Sequence, residues 1–428
     1  MLRKIMLNDH IGAPAKPIVK EGQKIKRGEK LANPNGLGAK LYSSFTGEIK
    51  EINEKYIVIK ADDNQTKKYI KISKDKDKLK MIENAGIIGA GGAGFPSHIK
   101  FDADIEGGCV IVNAAECEPI LSHNIEVLNK TPEMVIKGLQ EIIELTNAKK
   151  GIIAIKPKHK DTLITLGKKI KDIENIEIEY LPNMYPSGDE RVVIREILGV
   201  ELEPGKLPLE ANAIVSNVET IKNVYLAIHK QKPVIDKDIT IGGRVQGSQD
   251  GKVFLDVPIG ITADELINKA GGFIKPYGEI VIGGPFTGSS GEKDTPVNKK
   301  TGGIIVAMPY PQEKRKVGIL ECECGGQDER LTEIANNMGS EVVARKKCDR
   351  MVEVNGRFRC ELPGECPGQT STVLSLKKQG AEVIIAGACE DWTNTVTKVA
   401  PSLGVPVYHS TDHVLRATNH KIYRKIKK

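Results

Sequence analysis

The chain has 428 residues, of which 39% are hydrophobic and 28% charged, and its formal net charge is +7. This composition is typical of a globular protein and excludes a fibrous or low-complexity chain. No apolar run approaches the length of a membrane span, and residues 1–6 lack the apolar stretch of a secretory signal. We therefore expect a cytoplasmic protein with no integral membrane segment. Basic residues are dispersed except at residues 421–428, a solvated terminal helix or a docking patch, and a single Trp gives no support to nucleic-acid binding.

Residues 1–75 predict a small all-β domain, because short runs at residues 19–31 and 41–52 are punctuated by glycine. The two runs resemble the two halves of a lipoyl- or biotinyl-type barrel. The tip between them, residues 33–39, has no lysine to carry a prosthetic group. We therefore expect a barrel with a structural role.

Residues 76–232 predict an α/β domain. Short buried-strand runs at residues 110–112 and 151–155 alternate with helical stretches, one of which opens at residues 131–132 with a threonine cap followed by proline. Such alternation is typical of helices packed on a sheet.

Residues 233–313 predict a ubiquitin-like α+β domain, because a β-hairpin is followed by a helix over residues 262–272 and then by further strands. Residues 314–428 return to alternating strands and helices. Two of these strands run into cysteine, at Cys322 and Cys389. Since ligands in open α/β sheets gather beyond the carboxyl ends of strands, we expect both cysteines to share one crevice.

The distribution of the eight cysteines is uneven, since six of them lie in the last quarter of the chain. Neither a disulfide framework nor a ferredoxin-like run of cysteines is indicated. Cys109 and Cys117, in the first half, are expected to be buried apolar residues. Four of the other six could form an all-cysteine zinc site, but we predict thiols with no resident metal.

A glycine-rich segment at residues 89–96 fits the pattern G-x-G-x-x-G. Backbone without side chains lets N–H groups approach a phosphate, and Pro96 suits the first turn of a helix whose N-terminus favours an anion. Only Ile87 and Ile88 separate the segment from Gly86, which is too little strand for a dinucleotide-binding fold.

Three further segments, at residues 113–119, 185–190 and 216–224, follow the glycine-rich segment in order. Together the four segments resemble the flavin- and NADH-binding subunit of respiratory complex I and the C subunit of the Rnf electron-transport complex. The barrel before them and the β-grasp unit after them, of the soluble-ligand-binding (SLBB) type, also match the Rnf relative. The resemblance implies a multidomain α/β protein that binds FMN and NADH, with a flavin and NADH domain over residues 76–232.

The resemblance also implies roles for the matched residues. Glycines would lie against FMN, a lysine would supply a cation, and two amides and a hydroxyl would hydrogen-bond the flavin: Gly91, Gly92, Gly94, Lys100, Asn113, Asn217 and Thr220. Phe95 would stack on the adenine of NADH, and Glu118 and Glu190 would face the nicotinamide nucleotide. Three more residues complete the implied cofactor-binding set: Glu116, Gly188 and Glu219. The sequence departs from the family at Ala90, where the family has arginine, and at Ala115, where it has an acid.

An Rnf-type C subunit with this cysteine-containing tail in place of iron–sulfur motifs resembles the proline reductase-associated electron-transfer protein, the PrdC family of amino-acid-fermenting anaerobes. The implied role is to deliver reducing power from NADH to D-proline reductase or a similar reductase. NADH gives a hydride, FMN accepts two electrons, and a dithiol–disulfide pair can carry two electrons onward. The first candidates are Cys322 and Cys324, because glycine-rich backbone beyond a strand exposes thiols and can lower their pKa. Cys360 with Cys366, or Cys389, are the alternatives.

Two other functions stay open. The chain could serve a different acceptor as an Rnf-like NADH dehydrogenase subunit, or it could be a non-catalytic docking scaffold with a decayed flavin site. A visible flavin spectrum of the purified protein would separate the scaffold from the electron-transfer protein.

Overall fold

The structure, a computed structural model, describes residues 1–92, 94–387 and 395–418. The first segment is built from short strands, which pair antiparallel throughout: β1 (Leu2–Met6), β2 (Ala13–Pro17), β3 (Lys24–Ile25), β4 (Lys30–Asn35), β5 (Leu41–Tyr42), β6 (Gly47–Ile52) and β7 (Tyr56–Ala61). They form a four-stranded sheet in the order β1-β7-β6-β3 and a three-stranded sheet in the order β2-β4-β5. Apolar side chains such as Leu31, Ile49 and Ile59 are fully buried. The expected all-β, barrel-like segment is therefore confirmed.

The second segment alternates helices with parallel strands, as expected. Its elements are α1 (Lys78–Ala85), α2 (Ser97–Lys100), β8 (Cys109–Ala114), α3 (His123–Lys130), α4 (Pro132–Leu145), β9 (Lys150–Ile155), α5 (Lys160–Ile170), β10 (Ile176–Tyr180), α6 (Glu190–Leu198), a 3₁₀ turn (Pro208–Ala211), β11 (Ala213–Asn217) and α7 (Val218–Lys230). The sheet order is β10-β9-β8-β11, with every pair parallel. Pro96 precedes α2, but α2 is a single turn. The anion-binding helix N-terminus predicted at Pro96 is therefore not formed, because one turn aligns too few peptide dipoles.

The third segment is a mixed sheet with one helix. Its elements are β12 (Asp236–Gly243), β13 (Lys252–Pro258), α8 (Ala263–Ala270), β14 (Ile280–Ile282), β15 (Ser289–Gly291) and β16 (Gly303–Val306). The sheet order is β13-β12-β16-β14-β15, and its first and last strands, β12 and β16, lie parallel at the centre. This is the β-grasp arrangement that the order of elements predicts.

The fourth segment is a second parallel α/β sheet, in the order β18-β17-β21-β22. Its elements are β17 (Val317–Glu321), α9 (Asp328–Met338), β18 (Val342–Lys347), β19 (Met351–Val354), β20 (Arg357–Cys360), α10 (Thr370–Lys378), β21 (Val383–Ala386), α11 (Thr395–Ser402), β22 (Val407–His409) and α12 (Asp412–Leu415). Strands β19 and β20 form a separate hairpin. The two strands that run toward cysteine, β17 and β21, are neighbours, although Cys389 and the basic tail lie outside the described residues.

Ion pairs with little exposure to solvent join the segments. Lys222 on α7 binds Asp238 on β12 at 2.7 Å, and Arg27 of the first segment binds Asp236 at 2.5 Å. These side chains are at most 9% exposed, so removing one partner would leave a buried charge. Each main sheet lies in one of the four predicted segments (1–75, 76–232, 233–313 and 314–428), and their boundaries stay a prediction. In the part of the chain that is described, no helix combines the length and the apolar character needed to cross a membrane.

Candidate cofactor cavity and thiol pocket

A cavity of about 570 Å³ lies beyond the carboxyl ends of β8 and β11. The two strands are parallel neighbours, and their register pairs Asn113 with Asn217. This is the edge of an open α/β sheet where ligands usually bind. The volume is within the range of cofactor pockets, about 300–1,000 Å³. We call this space the cofactor cavity.

Seven of the residues predicted to bind cofactors line the cofactor cavity. They are Gly91, Gly92, Asn113, Glu116, Glu118, Gly188 and Asn217. They come from the glycine-rich loop and from the motifs at residues 113–119, 185–190 and 216–224. The structure therefore brings together residues that the sequence shows only as separate motifs along the chain.

The glycine-rich loop is supported from behind by Thr220. Its hydroxyl accepts a hydrogen bond from the N–H of Ala90 at 2.9 Å and lies 3.3 Å from the carbonyl oxygen of Ile88. Thr220 is buried and does not line the cavity. A methyl group on Gly91 would lie 2.9 Å from Nδ2 of Asn217, whereas one on Gly92 would meet nothing within 4 Å. Gly91 is therefore required for packing, and Gly92 leaves the cavity open.

The two asparagines are held by hydrogen bonds within the chain. Asn113 donates from Nδ2 to the carbonyl oxygen of Gly188 at 2.9 Å and accepts from the N–H of Ala115 at 3.1 Å. Asn217 caps α7, since its Oδ1 accepts from the N–H of Glu219 at 2.8 Å. Both side chains are thus fixed in orientation where they line the cavity.

The carboxylates of Glu118 and Glu116 both bind protein donors. Glu118 accepts from the N–H of Phe286 at 2.8 Å, and from the N–H and hydroxyl of Thr287 at 3.0 and 2.6 Å. Burial raises the pKa of Glu118, although these hydrogen bonds oppose the rise. Glu116 accepts from the N–H of Asn124 at 3.0 Å, at the start of α3. Glu118 therefore ties the loop between β14 and β15 to the cavity.

The other predicted cofactor-binding residues lie away from the cavity wall. Lys100 and Glu190 form an ion pair with each other. Glu219 is buried, pairs with Lys237 and accepts from the N–H of Asp238 at 2.9 Å, so its carboxylate joins α7 to β12. Phe95 and Gly94 also do not line the cavity; the carbonyl oxygen of Phe95 accepts from the N–H of Gly89 and closes the loop. Direct cofactor contacts by these residues stay a prediction.

Several lining residues were not predicted from the sequence. They are His123 and Asn124 on α3, and Thr287, Ser289, Asn298, Lys300 and Thr301 of the third segment. The loop before β16 is rich in polar residues and glycine, a pattern that can indicate a ligand-binding loop. The sequence does not reveal that this loop faces the glycine-rich loop, since the two are distant along the chain.

A second, smaller cavity of about 40 Å³ lies in the fourth segment, and five cysteines line it: Cys322, Cys324, Cys348, Cys360 and Cys366. We call it the thiol pocket. The carboxyl ends of β17 and β21 both reach it, at Leu320 and Ala386, as expected for a shared crevice. None of the cysteines in the described part of the chain forms a disulfide bond. Among those same residues, no three His, Cys, Asp or Glu side chains are arranged to hold a metal ion.

The environment of Cys322 differs from the prediction. A methyl group on Gly387 or Gly326 would lie only 2.8 or 3.1 Å from its Sγ, so the thiol is tightly packed. Burial raises the pKa of Cys322 well above its ordinary value. Cys322 is half-buried and its pKa is raised, so the prediction of an exposed thiol with a lowered pKa does not hold, because the glycines bring backbone against the sulfur.

Cys324 is placed beside Cys360. Both line the thiol pocket, and the neighbouring Cys324 side chain, together with burial, raises the pKa of Cys360. Glu323, the neighbour of Cys324, holds strand β20 in place: it accepts from the N–H of Cys360 at 2.6 Å and pairs with Arg359 at 2.6 Å. Arg191 on α6 donates to the carbonyl oxygen of Cys360 at 2.7 Å and pairs with Glu323 at 3.3 Å.

A stacked aromatic pair lies between the two cavities. The rings of Tyr185 and Phe286 are 3.7 Å apart at an interplanar angle of 8°. Both Cys117, which lines the cofactor cavity, and Cys324, which lines the thiol pocket, pack against this pair. Cys117 is half-buried, not fully buried as expected, and burial raises the pKa of its thiol to about 12, which disfavours a reactive thiolate.

The cofactor cavity fits FMN. Its glycine-rich loop carries no side chain at Gly91 and Gly92, its amides are fixed, and Lys300 offers a cation. Comparison with known proteins agrees: residues 82–226 match the Nuo51 FMN-binding domain, and residues 3–77 match the RnfC barrel sandwich hybrid domain. The fold, the cavity and these matches thus define an FMN-binding oxidoreductase.

Curated relatives identify the family. The chain is 31% identical over 322 residues to the C subunit of the Na⁺-translocating ferredoxin:NAD⁺ oxidoreductase complex of Acetobacterium woodii, a match that spans 70% of this chain and 72% of that protein. It is also 31% identical to the C subunit of the proton-translocating complex of Clostridium ljungdahlii, over 70% of this chain and 69% of that protein. The chain belongs to this RnfC family of oxidoreductase subunits. The expectation of FMN and NADH as cofactors is confirmed at the level of the family.

Two further similarities cover only about half of the proteins matched. Cobalamin reductase PduS of Citrobacter freundii is 36% identical over 226 residues, which is 53% of this chain and 48% of PduS. Among solved structures, an NAD⁺-reducing [NiFe]-hydrogenase in the air-oxidised state matches with a TM-score of 0.46 and 21% identity, over 54% of this chain and 46% of that chain.

Proposed function

We propose that this protein oxidises NADH through FMN and passes the electrons through the cysteines of its C-terminal segment to D-proline reductase or a similar reductase. The observation that carries the proposal is the position of the thiol pocket. It is one stacked aromatic pair away from the cofactor cavity, and α6 binds it through Arg191. A chain with these two sites in contact can join nucleotide oxidation to thiol chemistry.

The residues of the cofactor cavity bind FMN and orient it. FMN, when bound, supplies the capacity to accept a hydride from NADH. Gly91 and Gly92 expose backbone to it, and Asn113 and Asn217 present fixed amides. Thr220 acts by holding the loop. We retain Gly94, Phe95, Lys100, Glu190 and Glu219 as cofactor-binding proposals that depend on the family resemblance.

We propose that the thiol pocket provides the electron exit, with Cys324 as the central residue. Cys324 and Cys360 are neighbours in this pocket, whereas backbone packs tightly against the sulfur of Cys322, so we favour Cys324 with Cys360 over Cys322 with Cys324. Two electrons from NADH and two protons would break a Cys324–Cys360 disulfide into two thiols. Thiol–disulfide exchange with a disulfide of the acceptor would then regenerate the pair and leave two thiols on the acceptor.

The identity of the acceptor depends on the resemblance of the cysteine-containing tail to the PrdC family. The match to cobalamin reductase PduS favours a second candidate, a reductase subunit of the same family that serves another acceptor. The cytoplasmic location stays a prediction from the sequence. Purified protein that is yellow and releases FMN on denaturation would exclude the scaffold function.

The test compares two acceptors in the full-length protein, a small dye and D-proline reductase. Cys324→Ser and Cys360→Ser should reduce the dye with NADH at the rate of the unmodified protein but fail to support the reductase. Cys109→Ser, a buried thiol outside the pocket, is the matched control and should support both. Normal electron delivery by both pocket variants would exclude this exit. If the unmodified protein did not reduce the dye with NADH, the proposed NADH oxidation itself would be excluded.

Point variants are preferable to a truncated chain. A cut near Lys314 would remove Val414, which is fully buried against Val281 and Ile305 of the third segment. The cut would expose this core, so a loss of FMN or of activity in the truncated chain would not identify the exit.

A further inference from the structure

Among the described residues, Lys300 is the lysine or arginine that lines the cofactor cavity, and its surroundings leave its charge available. It lies in the loop between β15 and β16. No hydrogen bond or ion pair of its ammonium group occurs within the described chain. The two acids that line the same cavity, Glu116 and Glu118, are already bound to protein donors.

The loop that carries Lys300 is fixed on both sides. The N–H of Lys300 donates to Oδ1 of Asn298 at 2.9 Å, and the hydroxyl of Thr301 donates to the same oxygen at 3.0 Å. The preceding residue, Lys299, is buried: its N–H donates to Asp9 at 2.8 Å, and its ammonium donates to backbone carbonyls of the first two segments. With Lys299 anchored in the protein, Lys300 is positioned toward the cavity.

The stem of Lys300 packs on the glycine-rich loop. A methyl group on Gly94 would lie 2.9 Å from Cδ and 3.3 Å from Cγ of Lys300, and Gly94 has a φ of +72°. The lysine stem thus occupies the space that a side chain at position 94 would take. This contact places a cation beside backbone that can approach a phosphate closely.

We propose that Lys300 of the third segment binds the phosphate of FMN, a role that the sequence resemblance gives to Lys100. Lys100 is occupied by Glu190, whereas Lys300 faces the cavity with no partner in the described chain. The cofactor site is then completed by the β-grasp segment. This inference rests on the FMN-binding part of the proposed function and is independent of the acceptor.

The test measures flavin affinity without catalysis. Flavin-free protein is titrated with FMN and with riboflavin, which lacks the phosphate, and quenching of flavin fluorescence gives the dissociation constants. Lys300→Gln should weaken FMN binding about tenfold to a hundredfold, the usual effect of losing a charge-assisted hydrogen bond, and leave riboflavin binding unchanged. Lys300→Arg should retain most of the preference for FMN. Lys293→Gln, an exposed lysine of the same segment, is the matched control and should change neither constant.

Lys100→Gln is the decisive comparison. If it abolishes the preference for FMN over riboflavin while Lys300→Gln does not, the proposal is overturned and the sequence-based assignment holds. Equal weakening of both flavins by Lys300→Gln would also overturn it, as would weaker NADH binding with unchanged FMN binding. Failure of the unmodified protein to bind either flavin would refute FMN binding as a whole, which is a distinguishable result.

Discussion

The carboxylate of Glu118 accepts hydrogen bonds from the backbone N–H and the hydroxyl of Thr287, at 3.0 and 2.6 Å. Glu118 follows β8 of the flavin segment, and Thr287 precedes β15 of the β-grasp segment. One side chain therefore holds a loop of the third segment against the cofactor cavity. The contact is sensitive to substitution, since a methyl group on Gly284 would lie 2.2 Å from the Glu118 carboxyl carbon.

Replacement of Glu118 by alanine should impair NADH-driven dye reduction more than it impairs FMN binding. The loop at Thr287 loses its acceptor and no longer forms the cavity wall, whereas the glycine-rich loop and the asparagines stay in place. Thr287→Val removes one of the three hydrogen-bond donors to Glu118 and should have a smaller effect, a loss of about 1 kcal/mol in the free energy of unfolding. The KM for NADH and the FMN content of purified protein are the measurements. If Glu118→Ala impaired FMN binding as much as NADH-driven dye reduction, the assignment of Glu118 to the nicotinamide nucleotide would be contradicted.

Replacement of Thr220 by valine should weaken FMN binding about tenfold without direct contact between residue and cofactor. The change removes the hydroxyl that accepts from Ala90, and a lost hydrogen bond of a buried group costs about 1–2 kcal/mol. Thr220→Ser keeps the hydroxyl and is the control. Titration of flavin-free protein measures the effect, and a serine variant as weak as the valine variant would point to packing of the methyl group instead.

Adjacent glycines should respond differently to alanine. Gly91→Ala pushes on Asn217, the N-cap of α7, so flavin-free protein should lose about 1 kcal/mol of stability. Gly92→Ala places its methyl group in open space, so the stability should be unchanged while FMN binding weakens because the methyl group enters the cavity. Thermal denaturation without flavin, followed by FMN titration, separates the two effects. The same loss of stability in both variants would show that the loop does not have this packing.

Acid should loosen the joint between the third and fourth segments. Burial alone would raise the pKa of Glu279, but hydrogen bonds from His413 and Arg330 outweigh it and hold the pKa at about 2. A folded-state pKa below the ordinary value of 4.5 stabilises the protein above pH 4.5 by about 3 kcal/mol, and this contribution is lost as the pH falls toward 2.

Replacement of Glu279 by glutamine should therefore lower the melting temperature at pH 7, and the difference from the unmodified protein should narrow toward pH 3.5. Glu292→Gln, at an exposed position of the same segment, serves as the control and should not alter the pH dependence. A difference in melting temperature that stays constant with pH would mean that charge at Glu279 is not responsible.

The sequence predicts well the parts of the site that follow from one sheet. Asn113 and Asn217 each end a strand, and parallel neighbours bring their carboxyl ends to the same edge. Lys300 could not be predicted in this way, because its approach to the glycine-rich loop depends on how the β-grasp segment packs. The ion pair between Lys100 and Glu190 was also missed, since a resemblance assigns each residue a role without showing that they bind each other.

The thiol pocket shows the same limit. The crevice shared by β17 and β21 follows from the order of strands and helices, and it was predicted. The placement of Cys360 in the same pocket as Cys324 depends on the hairpin of β19 and β20 and on the hydrogen bonds of Glu323, which are long-range contacts. The thiol of Cys322 was predicted to be exposed because a glycine-rich segment is often open, but here the glycines permit close packing.

The shared wall of the cofactor cavity also limits how such proteins can be recombined. A gene fusion that transferred only residues 82–226 would carry the glycine-rich loop and the asparagines but would leave behind Thr287 and Lys300. The smallest fragment that carries the whole cofactor cavity therefore extends through β16. The alignment of 322 residues with the Acetobacterium woodii protein is long enough to include such a fragment. Under the proposed function, the cysteine-bearing segment beyond it is the part to exchange for another electron outlet. The replacement must offer Arg191 of α6 an acceptor, Glu279 a cation, and Val281 and Ile305 an apolar cover.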